Sequence, residues 1–229
     1  AVDGTTATLS WSDVSDDDIS YFVVECKQSD GVWKSVSRTS TNLGVNLSGL
    51  TPEHDYVYRV IGYDKRSNRG TPSEEITVTT LKDTICPKVT KITPDPGYFK
   101  SEINLRFTAE DDYRVKSIEI QTSTDKESWK TVSEIKATGE SAKCTFDCKL
   151  DLKNYEEGSV FVRAKVYDSY GNVTEDKDLT CYEYVVDRTA PIQPRGVTAS
   201  SGETEGGSSF VNISWNAITD DNSFAYYRV

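Results

Sequence analysis

The chain has 229 residues, a length typical of about two domains of ordinary size. Its 26 Lys and Arg residues against 37 Asp and Glu residues give a net charge of −11, which argues against nucleic acid or an anionic membrane surface as a partner. A single His and five Cys without any C-x-x-C pair lack the ligand spacing of a zinc site, and no apolar run approaches the ~20 residues of a membrane helix.

Apolar and polar residues alternate with period two from the start of the chain, the pattern of an all-β sandwich. Ala7, Leu9 and Trp11 are predicted to face a core. After an acidic turn at 16–18, Tyr21 and Val23 are predicted to continue that inward face. A turn at Ser29-Asp30-Gly31 and a return strand over 32–37 follow. The later strands of this unit, about seven in all, contain Val45, Leu47, Tyr56, Tyr58, Val60, Ile76 and Val78.

Three stretches of this unit resemble the fibronectin type III module. They are Trp11, the pair Tyr21-x-Val23 and the longer motif Leu50-x-Pro52-x-x-x-Tyr56-x-Tyr58-x-Val60. The resemblance implies a β-sandwich over residues 1–82 whose first strand is clipped. It also implies a tyrosine corner, in which a ring fills the core while its hydroxyl satisfies upstream backbone.

A second unit is predicted over residues 84–187. Its hairpin Ser123-x-Asp125-x-x-x-Trp129-Lys130-x-Val132 repeats the first unit's Ser29-Asp30-Gly31-x-Trp33-Lys34-x-Val36. A turn is expected at Asp111-Asp112, between two alternating strands. The stretch 144–172 resembles the Ig-like modules found in tandem in secreted bacterial surface proteins and polysaccharide-degrading enzymes, which implies an Ig-like β-sandwich.

The opening of the first unit returns in residues 188–229. Val211-x-Ile213-x-Trp215, Asp220-Asp221 and Tyr227-x-Val229 mirror its first strands and acidic turn. We therefore expect the N-terminal part of a second fibronectin type III-like sandwich, truncated and protease-sensitive, with both chain ends cutting through a longer array. The predicted fold class is all-β, with tandem immunoglobulin-like and fibronectin type III β-sandwiches joined by short Pro-bearing linkers at 83–87 and 187–191.

No catalytic, cofactor-binding or metal-ligating residues are predicted. The single histidine, His54, falls in the turn of the tyrosine corner, away from any serine motif. The acidic pairs recur between the same two strands of each unit, so we interpret them as solvated turns. Asp83, Asp187 and the turn acids are candidate calcium donors, but no D-x-[DN]-x-[DN]-G loop supports them.

Three surfaces are candidates for binding. The loop 65–70 is locally basic in an acidic chain. Trp33 and Trp129 recur at equivalent places, which favours indoles that cover a sandwich edge over platforms for sugar rings. The third is the outer face of two strands, where we hypothesise that a neighbouring module or partner packs. That face is predicted to carry Phe22, Val24, Cys26, Val57 and Ile61.

The cysteines do not form a predicted disulfide framework. Cys144 and Cys148 lie four residues apart on one strand, about 13 Å, too far for a bond, and are interpreted as small buried hydrophobes. Cys86 with Cys181 is left open as a disulfide.

These features predict non-catalytic spacer, display and interaction modules of a larger extracellular protein, either bacterial surface or secreted. The alternatives are accessory modules of a polysaccharide-degrading enzyme whose catalytic domain lies outside this sequence, and part of an adhesion or receptor ectodomain. The expected partners are neighbouring modules of the same chain, with a protein or polysaccharide as the candidate external ligand. No nucleic acid, no membrane insertion and no cofactor are expected.

Overall fold

The computed structural model describes residues 2–12, 17–40, 42–219 and 224–228. In these residues the regular structure is fourteen β-strands and one 3₁₀ helix, Asp176–Asp178. The predicted all-β fold class is therefore confirmed. No helix in these ranges has the length and apolar character needed to cross a bilayer.

The first sandwich contains six strands, where about seven were predicted. Its strands are β1 (Ala7–Ser10), β2 (Ile19–Lys27), β3 (Trp33–Thr39), β4 (Gly44–Leu47), β5 (Asp55–Asp64) and β6 (Ile76–Thr79). One sheet pairs β1 with β4, and the other has the order β3-β2-β5-β6. Side chains from both sheets form the core, including Leu9, Val24, Leu47, Tyr58 and Val78.

The predicted inward face of β2 is wrong by one residue. Val24 is fully buried in the core, whereas Val23 is only half-buried on the opposite face. On that opposite face Glu25 bonds the Arg59 guanidinium at 2.7 Å, which keeps both charged groups outside the core. The turn before β2 changes which alternate residues face the core, so the inward positions of β2 do not follow from those of β1.

The hypothesised exposed patch on this sandwich is also wrong. Phe22, Val24 and Cys26 are buried, at 3%, 0% and 6% exposure. Ile61 pairs with Val23 and therefore lies on the other face of the sheet, yet it too is fully buried. Val57, the remaining residue of the predicted patch, is half-buried.

The second sandwich is formed around two long bent strands. Its strands are β7 (Lys88–Thr93), β8 (Tyr98–Phe99), β9 (Glu102–Ser123), β10 (Lys130–Asp151), β11 (Gly158–Asp168) and β12 (Tyr182–Val186). The first half of β9 pairs with β7 and with the second half of β10. The second half of β9 pairs with β11 and with the first half of β10. A turn was predicted at Asp111-Asp112, but β9 bends there without ending, opposite register shifts over 136–143 of β10.

The core of the second sandwich is larger than that of the first. It is filled by the predicted alternating residues of β9, β10 and β11 together with Tyr184 of β12. Its largest fully buried side chains are Tyr184, Phe107, Ile103, Leu105, Ile118, Ile120 and Leu152.

A two-stranded hairpin follows the second sandwich. β13 (Thr198–Glu203) pairs antiparallel with β14 (Ser209–Ser214), and nearly all of its side chains are exposed. The acids at 220–221 and the residue at 229 lie outside the described residues. The unit boundaries at 82, 84 and 187 stay predictions.

Candidate functional site

The linker between the two sandwiches packs closely against the N-terminal segment. Leu81 N donates to Asp3 O at 2.9 Å, and Asp83 is only 1% exposed. A Cβ atom on Gly4 would lie 3.1 Å from Asp83 Cα, which is a tight contact that glycine avoids. The chain between the sandwiches is thus held by the N-terminal segment around Leu81 and Asp83.

Two tyrosines of the second sandwich reach the tyrosine-corner loop of the first. The Tyr170 hydroxyl donates to Pro52 O at 3.1 Å, and the Tyr113 hydroxyl donates to Thr51 Oγ1 at 3.4 Å. Their rings lie against each other, with centroids 5.8 Å apart. These contacts tie the two sandwiches together by side chains as well as by the linker.

Four aspartates from three separate segments converge beside these tyrosines. Asp83 comes from the linker, Asp111 and Asp112 from the bend of β9, and Asp168 from the end of β11. One carboxylate oxygen each from Asp83, Asp111 and Asp168 lies within 4.8 Å of the others. Asp83 and Asp168 are 1% and 0% exposed. We refer to these four residues as the junction carboxylates.

Each of the first three junction carboxylates has one oxygen held and one oxygen without a partner. Asp83 Oδ1 accepts from Ile85 N at 2.9 Å, and Asp112 Oδ2 accepts from the Thr5 hydroxyl at 2.8 Å. Asp111 Oδ2 accepts from two backbone N–H groups of its own bend, each at 3.1 Å. In the described structure the buried oxygens without a hydrogen-bond partner are Asp83 Oδ2, Asp111 Oδ1 and Asp112 Oδ1.

Asp168 is oriented by the loop that follows it. Its Oδ1 accepts from the backbone N–H groups of Tyr170 and Asn172, both at 2.8 Å, and its Oδ2 accepts from Asn172 Nδ2 at 2.6 Å. Asn172 Nδ2 also donates to Asp83 O at 3.2 Å. This loop therefore fixes both the carboxylate and the linker.

Ionisation of the buried junction carboxylates is unfavourable without a counter-charge. Burial, with smaller contributions from the neighbouring carboxylates of Asp112, Asp83 and Asp168, raises the pKa of Asp111 to about 6. Burial likewise raises the pKa of Asp83, assisted by Asp112 and Asp168. An all-oxygen, negatively charged set of this kind is suited to a hard cation.

The interpretation of the acidic pairs as solvated turns is wrong for Asp111-Asp112, which lie within β9 and are half-buried. Asp83, a candidate donor, is buried. Asp187, another candidate donor, is not in this group and accepts from Thr189 N at 3.1 Å. The predicted turn acids at 16 and 220–221 lie outside the described residues. The available sequence signal was the recurrence of acids in linkers and bends, but their convergence depends on packing between the sandwiches.

The tyrosine corner is confirmed. Tyr56 packs against the first core, and its hydroxyl accepts a hydrogen bond from Thr51 N at 2.8 Å. His54 is exposed, and its ring lies edge-on to Tyr56 with centroids 4.8 Å apart. The His54 ring thus packs on the tyrosine corner.

The two repeated tryptophans are partly covered. The Arg59 guanidinium lies 4.0 Å from the Trp33 ring centroid, and that of Arg163 lies 3.9 Å from the Trp129 ring centroid. Because a guanidinium stacks on one face of each indole, that face is closed to a sugar ring.

The basic loop 65–70 is exposed and is shaped by Asp64, whose Oδ1 accepts from Arg66 N and Asn68 N at 2.8 Å each. Two of its cationic side chains contact nearby groups of the same sandwich. Arg69 forms an ion pair with Glu25 at 3.5 Å, and Lys65 Nζ donates to the Asp17 carbonyl at 3.1 Å.

All five cysteines are free thiols, so the disulfide left open between Cys86 and Cys181 is not formed. Cys148 is buried in the second core and Cys144 packs against it, as expected for small hydrophobes.

An open groove of about 1170 Å³ runs along β10 in the second sandwich. Two of its acids are engaged with neighbours: Asp147 bonds Arg106, and Glu157 accepts from Arg188 N and from the Thr189 hydroxyl.

The first sandwich is similar to known protein structures and to one family model. No curated protein matches the chain. One similar solved structure is the fibronectin type-III domain of human fibronectin type III domain containing protein 3, with 27% identity over 37% of this chain and 80% of that one and a TM-score of 0.33. Another is the FN1-FN3 domains of chicken CNTN1, with 16% identity over 96% of this chain and 74% of that one and a TM-score of 0.42. A third is the fibronectin(III)-like modules of Clostridium thermocellum CbhA (16% identity, 81% and 87%, TM-score 0.33). The family model of the fibronectin type III domain matches residues 1–79, and this part of the chain is therefore a fibronectin type III domain.

Proposed function

We propose that this chain is a non-catalytic spacer and display segment of a larger extracellular protein, either secreted or on a bacterial surface. The observation that carries the proposal is the junction between the sandwiches. A short linker and the hydroxyl groups of Tyr113 and Tyr170 hold the two bodies in one relative orientation, as a spacer requires.

Two further features support this function. The fibronectin type III domain at residues 1–79 is a typically non-catalytic module. The net charge of −11 favours solubility and disfavours polyanionic partners.

Small-angle X-ray scattering on the full chain tests the proposal. We expect the wild-type profile to fit one fixed orientation of the two sandwiches. The double variant Tyr113→Phe, Tyr170→Phe should broaden the distance distribution, because both hydroxyl contacts across the junction are lost. Tyr98→Phe, an exposed tyrosine of β8, is the matched control.

A wild-type profile as broad as that of the double variant would contradict the spacer function. Binding on a glycan array that is abolished by Trp33→Ala or Trp129→Ala would replace it with the accessory module of a polysaccharide-degrading enzyme.

A further inference from the structure

We propose that the junction carboxylates bind one Ca²⁺ ion, which locks the linker and the second sandwich together. The inference goes beyond the spacer function and does not depend on it, because it rests on the arrangement of oxygen atoms around one point in the structure.

The spacing of the oxygens fits one ion. Oxygens bound to the same Ca²⁺ at about 2.4 Å lie at most about 4.8 Å apart. The ligand atoms of Asp83, Asp111 and Asp168 all lie within 4.8 Å of one another. Three segments that are distant in sequence thus supply ligand atoms to one position.

A second observation points to a missing ligand. Asp83 is 1% exposed, its Oδ2 atom has no hydrogen-bond partner, and that side chain belongs to the group around this position. An unpaired buried carboxylate oxygen is costly, and two residues of this group, Asp83 and Asp111, each have one. A bound cation satisfies them together and removes the repulsion between the carboxylates.

The hydrogen bonds around the site orient the carboxylates as outer-shell groups do in metal sites. Backbone N–H groups hold one oxygen of Asp83 and one of Asp111 and leave the other oxygen of each unpaired. The side chain of Asn172 holds Asp168 Oδ2 at 2.6 Å. The side chains are therefore positioned before an ion binds.

The donor set favours Ca²⁺ over other cations. All the donors are hard oxygen atoms, and the zinc ligands histidine and thiolate are not in the group. Several carboxylates with irregular spacing suit the flexible coordination of Ca²⁺ better than Mg²⁺, which demands an octahedron and keeps most of its waters. Water completes the coordination shell.

Isothermal titration calorimetry on the full chain, after EDTA treatment and its removal, tests the proposal with CaCl₂ and MgCl₂ as titrants. We expect one site per chain for Ca²⁺ with a Kd below about 1 mM, in the range of extracellular modules, and weaker binding of Mg²⁺. Terbium luminescence excited through tyrosine gives an independent readout, because Tyr113 and Tyr170 flank the site.

Asp111→Asn and Asp83→Asn should each weaken Ca²⁺ binding by about tenfold or more, and Asp95→Asn, an exposed acid with the same charge change, should not. In EDTA, Asp111→Asn should unfold at the wild-type temperature or above it, because the substitution relieves repulsion between carboxylates. Ca²⁺ should raise the Tm of the wild-type protein, because it binds the folded state. A variant that still folds but lacks this rise separates ion binding from a structural role.

Three results would overturn the proposal: no saturable binding at millimolar Ca²⁺, equal affinity for Mg²⁺, or variants at 83 and 111 that bind Ca²⁺ as the Asp95→Asn control does. None of them would affect the spacer function, whose test measures the hydroxyl contacts of Tyr113 and Tyr170.

Discussion

Single hydroxyl groups stabilise each sandwich at defined places. The hydroxyl of Tyr56 accepts from Thr51 N at the corner that also contacts the second sandwich. The hydroxyl of the fully buried Tyr184 donates to Pro94 O at 2.9 Å. In both cases the ring lies against the core while its polar atom satisfies backbone.

Tyr56→Phe should lower the free energy of unfolding of the first sandwich by about 1 kcal/mol, because Thr51 N–H loses its acceptor while the ring is kept. Urea unfolding followed by amide NMR signals of β1 to β6 measures this change. Tyr226→Phe, an exposed tyrosine, serves as the control. A loss no larger than that of the control would mean that water replaces the hydroxyl without cost.

Alkaline pH should destabilise the second sandwich through Tyr184. Burial, with smaller contributions from Tyr182 and Asp95, raises the pKa of Tyr184 to about 12. An unfolded tyrosine ionises near pH 10, so the unfolded state loses this proton first as the pH rises. The stabilisation is complete below about pH 10 and is lost between about pH 10 and pH 12.

Spectrophotometric titration of the tyrosinate absorbance checks this expectation. Tyr184→Phe should remove a late step from the titration curve of the wild-type protein. Persistence of that step in a folded variant would assign it to another tyrosine.

Residue-level features were predictable from sequence only where the signal is local. The tyrosine corner depends on Leu50, Pro52 and Tyr56, which are close in the chain, and it was predicted correctly. Asp83 and the turn acids were named as candidate calcium donors, but their convergence with Asp168 was not predicted, because Asp83 and Asp168 meet only after the second sandwich folds and packs against the linker.

At the scale of elements, alternation located the strands well but not the phase of β2. Both faces of this strand are apolar from Tyr21 to Val24, so the pattern alone does not choose between them. Glu25 shares a face with Val23 and pairs with Arg59, which would have marked that face as the outer one. A charged residue late in the strand was the deciding signal.

Val24→Ala should lower the free energy of unfolding of the first sandwich by about 2 kcal/mol, because it leaves a cavity in a packed core. Val23→Ala on the other face of β2 is the matched variant and should cost less than about 1 kcal/mol. Chemical denaturation of both proteins gives the comparison. Equal losses would show that β2 is buried equally on both faces.

The bend in β9 shows a second limit of prediction. A turn was expected at Asp111-Asp112 because acidic pairs favour turns. The chain instead continues as one strand, which pairs with β7 before the bend and with β11 after it. The acids were located correctly, but their role depends on what packs over the bend.

At the scale of the whole chain, the two sandwiches repeat one loop in atomic detail. Asn68 donates through its backbone and side chain to Asp64 as Asn172 does to Asp168. The sequence repeat seen in the hairpins therefore extends to the loops at one end of each sandwich. Only in the second sandwich does the described structure bring further buried carboxylates to this loop.

Limited trypsin digestion should cut first at Arg195, which is exposed and lies before the hairpin of β13 and β14. Arg188 should resist, because its guanidinium donates to Leu152 O at 2.7 Å and to Tyr155 O at 3.1 Å. Mass spectrometry of early digests would show a stable fragment ending at Arg195. Early cleavage at Arg188, or survival of the intact chain, would contradict this order.

The parallel pairing of β8 with β12 has a consequence for tension along the chain. Val185 N donates to Gly97 O at 2.9 Å and Asp187 N to Phe99 O at 3.0 Å, between strands that run in the same direction. A pull from both ends draws β8 towards its amino end and β12 towards its carboxyl end, so both bonds are sheared at once. The second sandwich should therefore yield in one abrupt step in single-molecule stretching, at a force that Val185→Pro lowers, and gradual unzipping would contradict this.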